Sequence, residues 1–105
     1  MGLEVRLTTV QWAHILDRHP EMDGQLDKFL ETLREPDAVP YDRVENNHQY
    51  VRRFRKTPVS EKSLLVIARH AGGDGFVFTA FFVARIRLRG KELVHGDEAV
   101  LDQLR

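Results

Sequence analysis

Ser63-Leu64-Leu65-Val66-Ile67-Ala68-Arg69-His70 and Phe76-Val77-Phe78-Thr79-Ala80-Phe81-Phe82 flank the turn Ala71-Gly72-Gly73-Asp74-Gly75, and this stretch decides the fold. Both runs are apolar and rich in β-branched or aromatic residues, and a glycine-rich connection of this length suits an antiparallel hairpin. The second run continues in alternation as far as Leu88, which predicts a long strand over Phe76–Leu88. On the N-terminal side, His48–Arg55 reads as a neighbouring strand, reached through the connection Thr57–Ser60 with its Pro58. Gln49, Val51, Arg53 and Arg55 then share one face of it, while His48, Tyr50, Arg52 and Phe54 share the other. Ala38–Tyr41 fits only an edge, because Pro40 has no N–H to give to a ladder.

Further upstream the period changes. Leu3, Val5 and Leu7 alternate with polar residues and predict a short strand. Thr8-x-x-Gln11 has capping-box spacing, so a helix is expected from about Thr9 to His19, with Trp12, Ile15 and Leu16 as its apolar stripe. Pro20 closes it, because the residue before a proline is driven out of helical geometry. Asp23 is placed to cap a second helix in which Leu26, Phe29, Leu30 and Leu33 follow the i, i+3, i+4, i+7 rule, and Pro36 ends it. Asp97 is placed to cap a short last helix carrying Val100, Leu101 and Leu104. Helices first and a meander afterwards make an α+β fold: N-terminal helices packed on a roughly four-stranded antiparallel sheet, with a short C-terminal helix.

The 105 residues leave room for one domain and one core, and 42% apolar content with six Phe, one Trp and two Tyr is ample to fill it. The chain has no cysteine, which excludes disulfides, thiolate zinc sites and a cysteine nucleophile. The N-terminus has no basic segment followed by an apolar stretch, so no signal peptide is expected. The longest apolar run, Phe76–Ala84, is broken by Thr79 and too short to span a bilayer as a helix. A cytoplasmic protein without membrane contact is the expectation. The zero net charge hides a division: residues 50–91 hold ten basic residues against Glu61 and Asp74, whereas residues 1–49 hold five against ten acidic ones. Such asymmetry is the compositional mark of a polyanion-binding face, although basic residues also protect sheet edges from aggregation.

Five histidines prompt a search for metal ligands. His14 and His19 are five apart, which separates them by ~140° on a helix, so they do not share a ligand position and neither metal nor cofactor is expected. Acid–base chemistry is the better use of histidine. His19 falls on the core-facing stripe at the C-terminal end of the first helix, where it can lean over the sheet or merely cap the last carbonyls. His14 projects to the opposite side, beside Arg18. Arg52, Arg53 and Arg55 offer planar forks to phosphate, Arg69 adds to the basic field, and Tyr50 offers a ring or a hydroxyl. Thr79 is the one hydrogen-bonding side chain within Phe76–Ala84.

The strings His14-Ile15-Leu16-Asp17-Arg18-His19-Pro20-Glu21-Met22 and Thr32-Leu33-Arg34-Glu35-Pro36-Asp37-Ala38-Val39, with Leu64-Leu65-Val66-Ile67 and Phe76-Val77-Phe78-Thr79-Ala80-Phe81-Phe82, resemble the phage-associated nuclease domains of the barnase–EndoU–colicin–RelE group. The resemblance spans about residues 10–90. It implies helices on an antiparallel sheet and metal-independent RNA cleavage by attack of the 2′-hydroxyl on the adjacent phosphate. It also implies a site drawn from His14, His19, an arginine or tyrosine of the Tyr50 strand (Arg53 or its neighbour Arg52, or Tyr50) and Thr79. From the basic field, Arg52, Arg55 and Arg69 are expected to contact RNA beside Tyr50. An antitoxin or immunity protein is the partner such a toxin-like ribonuclease implies besides RNA. The alternative is a catalytically silent nucleic-acid-binding or protein-interaction module on the same fold, since fold is carried by resemblance more firmly than activity.

Overall fold

A computed structural model describes residues 4–105. The chain runs β1 (Glu4–Arg6), α1 (Thr9–Arg18), a 3-10 turn (Pro20–Met22), α2 (Leu26–Arg34), β2 (Val39–Asp42), β3 (Asn47–Arg53), β4 (Ser63–Ala71), β5 (Asp74–Val83), β6 (Lys91–His95) and α3 (Glu98–Leu104). Leu3, expected to open the first strand, lies outside the described residues. The architecture is α+β, but the sheet is larger than the four antiparallel strands expected. Its order is β1-β5-β4-β3-β2-β6, and β1 lies parallel to β5. No helix among the described residues is long and apolar enough to cross a membrane.

Helix α1 begins where the sequence places it. Thr8 Oγ1 accepts from the Gln11 N–H at 3.0 Å, satisfying one of the orphan donors of the first turn. The capping box is only half made, because the Gln11 side chain donates to the Phe78 carbonyl of β5 instead. Helix α2 differs from expectation at its start. Asp23 terminates the 3-10 turn, and Gln25 occupies the cap of α2.

The buried stripe of α2 is also turned, by roughly 60° relative to the expected one. Phe29 and Thr32 are fully buried and Leu33 packs beside them, whereas Leu26 and Leu30 remain 43% and 41% exposed. Thr32 tolerates burial because its hydroxyl donates to the Lys28 carbonyl at 2.8 Å, leaving no orphaned polar atom.

Ala71 pairs with Asp74 around a two-residue turn, with Gly72 and Gly73 at φ 59° and 88°. Both angles are left-handed, the geometry that joins strands of native twist and that glycine adopts without strain. The strand after it stops at Val83 rather than Leu88. Ile86, which continues the alternation, hydrogen-bonds by its N–H to the Leu104 carbonyl at 2.9 Å, and its side chain enters a cluster with Ala38, Val51, Leu65, Leu101 and Leu104. The segment therefore crosses the second face of the sheet and delivers β6 to the far edge beside β2. Ile15, Met22 and Phe29 cover the first face, over Tyr50, Leu64, Val66, Ala80 and Phe82. Trp12 meets Phe29 edge to face, with centroids 5.3 Å apart.

One irregularity interrupts the register of β4 and β5. Ile67 pairs with Thr79, but the next residue, Ala68, pairs with Val77, so Phe78 is an extra residue in β5. This β-bulge sends the Phe78 ring outward and resets the alternation, leaving Thr79 on the second face.

Candidate active site

Among the described residues, strand β1 pairs with β5 over Asp74–Phe76. The outer edge of β5 beyond Phe76 carries no strand among the described residues, and α1 lies along it instead, held by the Gln11 amide on the Phe78 carbonyl. The space between them is an open groove of about 290 Å³, lined by Gln11, His14, Ile15, Arg18 and His19 from the helix and by Phe78, Thr79 and Phe81 from the strand. Gln11, His14 and Arg18 succeed one another at i+3 and i+4, so one helical face supplies an amide, an imidazole and a guanidinium. The side of α1 that carries His14 and Arg18, expected to point away from the sheet, is the helical wall of this groove. His14, His19 and Thr79, expected in one site, line it together.

His19 reaches the groove as the residue that ends α1. Its backbone N–H closes the last turn on the Ile15 carbonyl at 2.7 Å, so capping is done by the main chain. Its ring stacks on Phe81, with centroids 5.0 Å apart and planes 23° from parallel. Nδ1 lies 3.6 Å from Glu21 Oε1, at ion-pair distance, and the side chain is 30% exposed. A stacking partner on one side and a carboxylate on one nitrogen fix the ring and leave Nε2 for proton exchange. The groove brings together two imidazoles, a cation and a hydroxyl among its lining, which is the set of groups that acid–base chemistry on a phosphate requires.

The arginines of β3 are elsewhere. Arg52 lies on the helix-covered face, where Nη1 donates to the Glu35 carbonyl at 2.7 Å, Nη2 sits 3.4 Å from Glu31, and the guanidinium lies 5.8 Å from the centre of the Phe54 ring. It ties the C-terminus of α2, with its unpaired carbonyls, to the sheet. Arg53 is on the other face: its N–H donates to Asp37 Oδ2 at 2.8 Å and Nη1 reaches the Gln103 carbonyl at 3.4 Å. With Arg55 and Lys62 it borders a shallow depression at the far end of the strands. Thr79 lies level with Gln49 across two ladders, four residues before Arg53, which separates the two by roughly 16 Å at ordinary strand spacings. The expected constellation of His19, Thr79 and an arginine of β3 is thus corrected. Arg18 is the groove's arginine, and its i+4 spacing from His14 was the signal available in the sequence.

Tyr50 is 2% exposed, so its ring is not available to stack a base. Its hydroxyl is 3.1 Å from His70 Nε2, and His70 meets His48 edge to face at 4.6 Å, with Tyr41 4.7 Å from His48 on the other side. Burial holds the His70 imidazole below its ordinary range. Burial, and then the charge of His70, do the same to His48, while burial raises the Tyr50 hydroxyl. This second histidine group escaped the sequence reading because cross-strand neighbours depend on register.

Arg69, on the second face, lies over the Phe78 ring at 5.2 Å, next to the groove. Among the described residues no three His, Asp or Glu side chains gather as a metal site would need. No family model, curated protein or solved structure matches the chain.

Proposed function

We propose that the protein is an endoribonuclease that cleaves RNA with its own side chains, at the groove between α1 and the free edge of β5. The observation that carries the proposal is the convergence of His14, Arg18, His19 and Thr79 on that one groove. The resemblance of the sequence to toxin-like and phage-associated ribonucleases supports the same reading and involves the same histidines and threonine.

The chemistry follows from the groups present. His19, oriented by Glu21, takes the proton from a ribose 2′-hydroxyl, and the freed oxygen attacks the adjacent phosphorus. His14 gives a proton to the 5′-oxygen as its bond to phosphorus breaks, which leaves a 2′,3′-cyclic phosphate and a 5′-hydroxyl. Arg18 and the Thr79 hydroxyl hold the charge that grows on the equatorial oxygens between these steps. No step in this sequence calls on a metal ion.

Incubation of the purified protein with total RNA, with and without EDTA and beside His19→Ala, tests the reading. Cleavage by the parent in both conditions and none by the variant is the expected result. Intact RNA with the parent leaves a binding module on the same fold.

A further inference from the structure

Two large aromatic rings stand out on the surface beside the groove. Phe76 is 46% and Phe78 is 52% exposed, on a strand whose other apolar residues are more deeply covered. Half-exposed phenylalanine rings add little to the stability of a domain of this size, and two of them close together on one strand point to a contact made with something else. The β-bulge is what turns Phe78 outward. Arg69 belongs to the same patch: it is the cross-strand partner of Phe76 and lies over the Phe78 ring. Among the described residues Arg69 has no acidic partner within ion-pair distance, and its Nε is buried without a hydrogen bond. A guanidinium over an aromatic ring, with no carboxylate at ion-pair distance among the described residues, suits an anionic ligand that also carries flat rings.

We infer that Phe76, Phe78 and Arg69 form a stacking platform for the unpaired bases of single-stranded RNA, the base on Phe78 belonging to a nucleotide at the cleaved phosphate. Phe78 lines the groove next to Thr79, so a base on that ring carries its own phosphodiester to the side of His14, Arg18 and His19. Phe76, two residues back along the strand, receives the next base, and Arg69 meets the phosphate between them. A duplex cannot use the platform, because its base faces are covered by their neighbours in the stack. The inference rests on the ribonuclease reading for the position of the cut, while the platform itself is tested by binding alone.

The test is fluorescence anisotropy with a labelled 2′-O-methyl oligonucleotide, which has no 2′-hydroxyl to attack, presented single-stranded and annealed to its complement. The parent should bind the single strand at least about tenfold more tightly than the duplex. Phe78→Leu keeps apolar bulk without a ring and should weaken single-strand binding by about tenfold or more, with Phe76→Leu less severe. Phe78→Tyr should bind like the parent, which a merely hydrophobic or structural role for the ring would not predict alongside the leucine result. Equal affinity for duplex and single strand, unchanged binding by both leucine variants, or no binding by the parent overturns the platform. Because the probe is not cleavable, an inactive parent that still binds through Phe78 overturns the ribonuclease reading and keeps the platform. A parent that cuts RNA but is indifferent to both leucines does the reverse.

Discussion

The protein places two histidine pairs in opposite circumstances. His14 on α1 and His19 at its end line an open groove together with Arg18 and Thr79, and Glu21 lies 3.6 Å from the His19 ring. His48 and His70 stand across adjacent strands on the helix-covered face, edge to face with each other and bracketed by Tyr41 and Tyr50. The second pair has the closer rings and lowered proton affinities, features often associated with active sites. Yet the rings against it are two tyrosines, and burial, with the charge of His70 acting on His48, explains the shifts. On the proposed reading, what separates a reacting histidine from a packed one is an open groove shared with a cation, rather than the size of a titration shift.

The largest expected effect falls on the groove. His19→Ala should lower cleavage by about 10²–10⁴-fold with the melting temperature little changed, as loss of an acid–base group does. His70→Gln should leave the cleavage rate near that of the parent. Rates read from a labelled RNA under single-turnover conditions compare the two, and an equal loss in both variants breaks the distinction. Arg18→Ala should cost ~2–4 kcal/mol of transition-state stabilisation, by analogy with removal of an oxyanion donor. Arg53→Ala, at the far end of the strands, should cost far less, and a reversal of that order would return the clamp to β3.

The fold contributes its own expectation. Phe29→Ala removes a fully buried ring that Trp12 packs against, and should destabilise the protein by ~3–5 kcal/mol in chemical denaturation. Leu30→Ala, at a half-exposed site, should cost about 1 kcal/mol or less. Similar losses for the two would mean that the stripe of α2 faces the sheet as its periodicity alone suggests.

The smallest effect concerns pH. His48 and His70 bind protons less readily in the folded protein than at the ordinary value of 6.5, so the unfolded chain takes up more protons as the solution is acidified. Their contribution to stability is therefore complete above about pH 6.5 and is lost as pH falls below it. Thermal melts between about pH 7.5 and 5.5 should show that decline, and the His48→Gln, His70→Gln double variant should flatten it. A parent whose melting temperature holds steady through this range would contradict the lowered affinities.

Much of the fold is legible in local sequence because the signals are local. Thr8 and Asp97 cap α1 and α3 through side-chain oxygens at the expected positions, and Gly72-Gly73 makes the hairpin turn. Strands β3 and β4 begin and end within about two residues of the stretches His48–Arg55 and Ser63–His70 that announced them. Strand β6 was not legible: Lys91, Glu92 and His95 give it the polar character of an edge, and its pairing with β2 depends on Ile86 anchoring the crossing segment. The parallel pairing of β1 and the bulge at Phe78 are likewise settled by distant contacts. The groove inherits this division. His14, His19 and Thr79 could be singled out by residue type, but the choice of Arg18 over Arg52 or Arg53 required knowing which strand edge α1 covers.

The most direct test uses an oligonucleotide with a single ribonucleotide in a 2′-O-methyl background, incubated with the parent and with His19→Ala in the presence of EDTA. If the groove works as proposed, the parent cuts once, on the 3′ side of that ribonucleotide, and leaves a 2′,3′-cyclic phosphate and a 5′-hydroxyl, while the variant leaves the strand intact. Cleavage at 2′-O-methyl positions, a 5′-phosphate product, or equal cutting by the variant would contradict in-line attack by a 2′-hydroxyl that His19 activates.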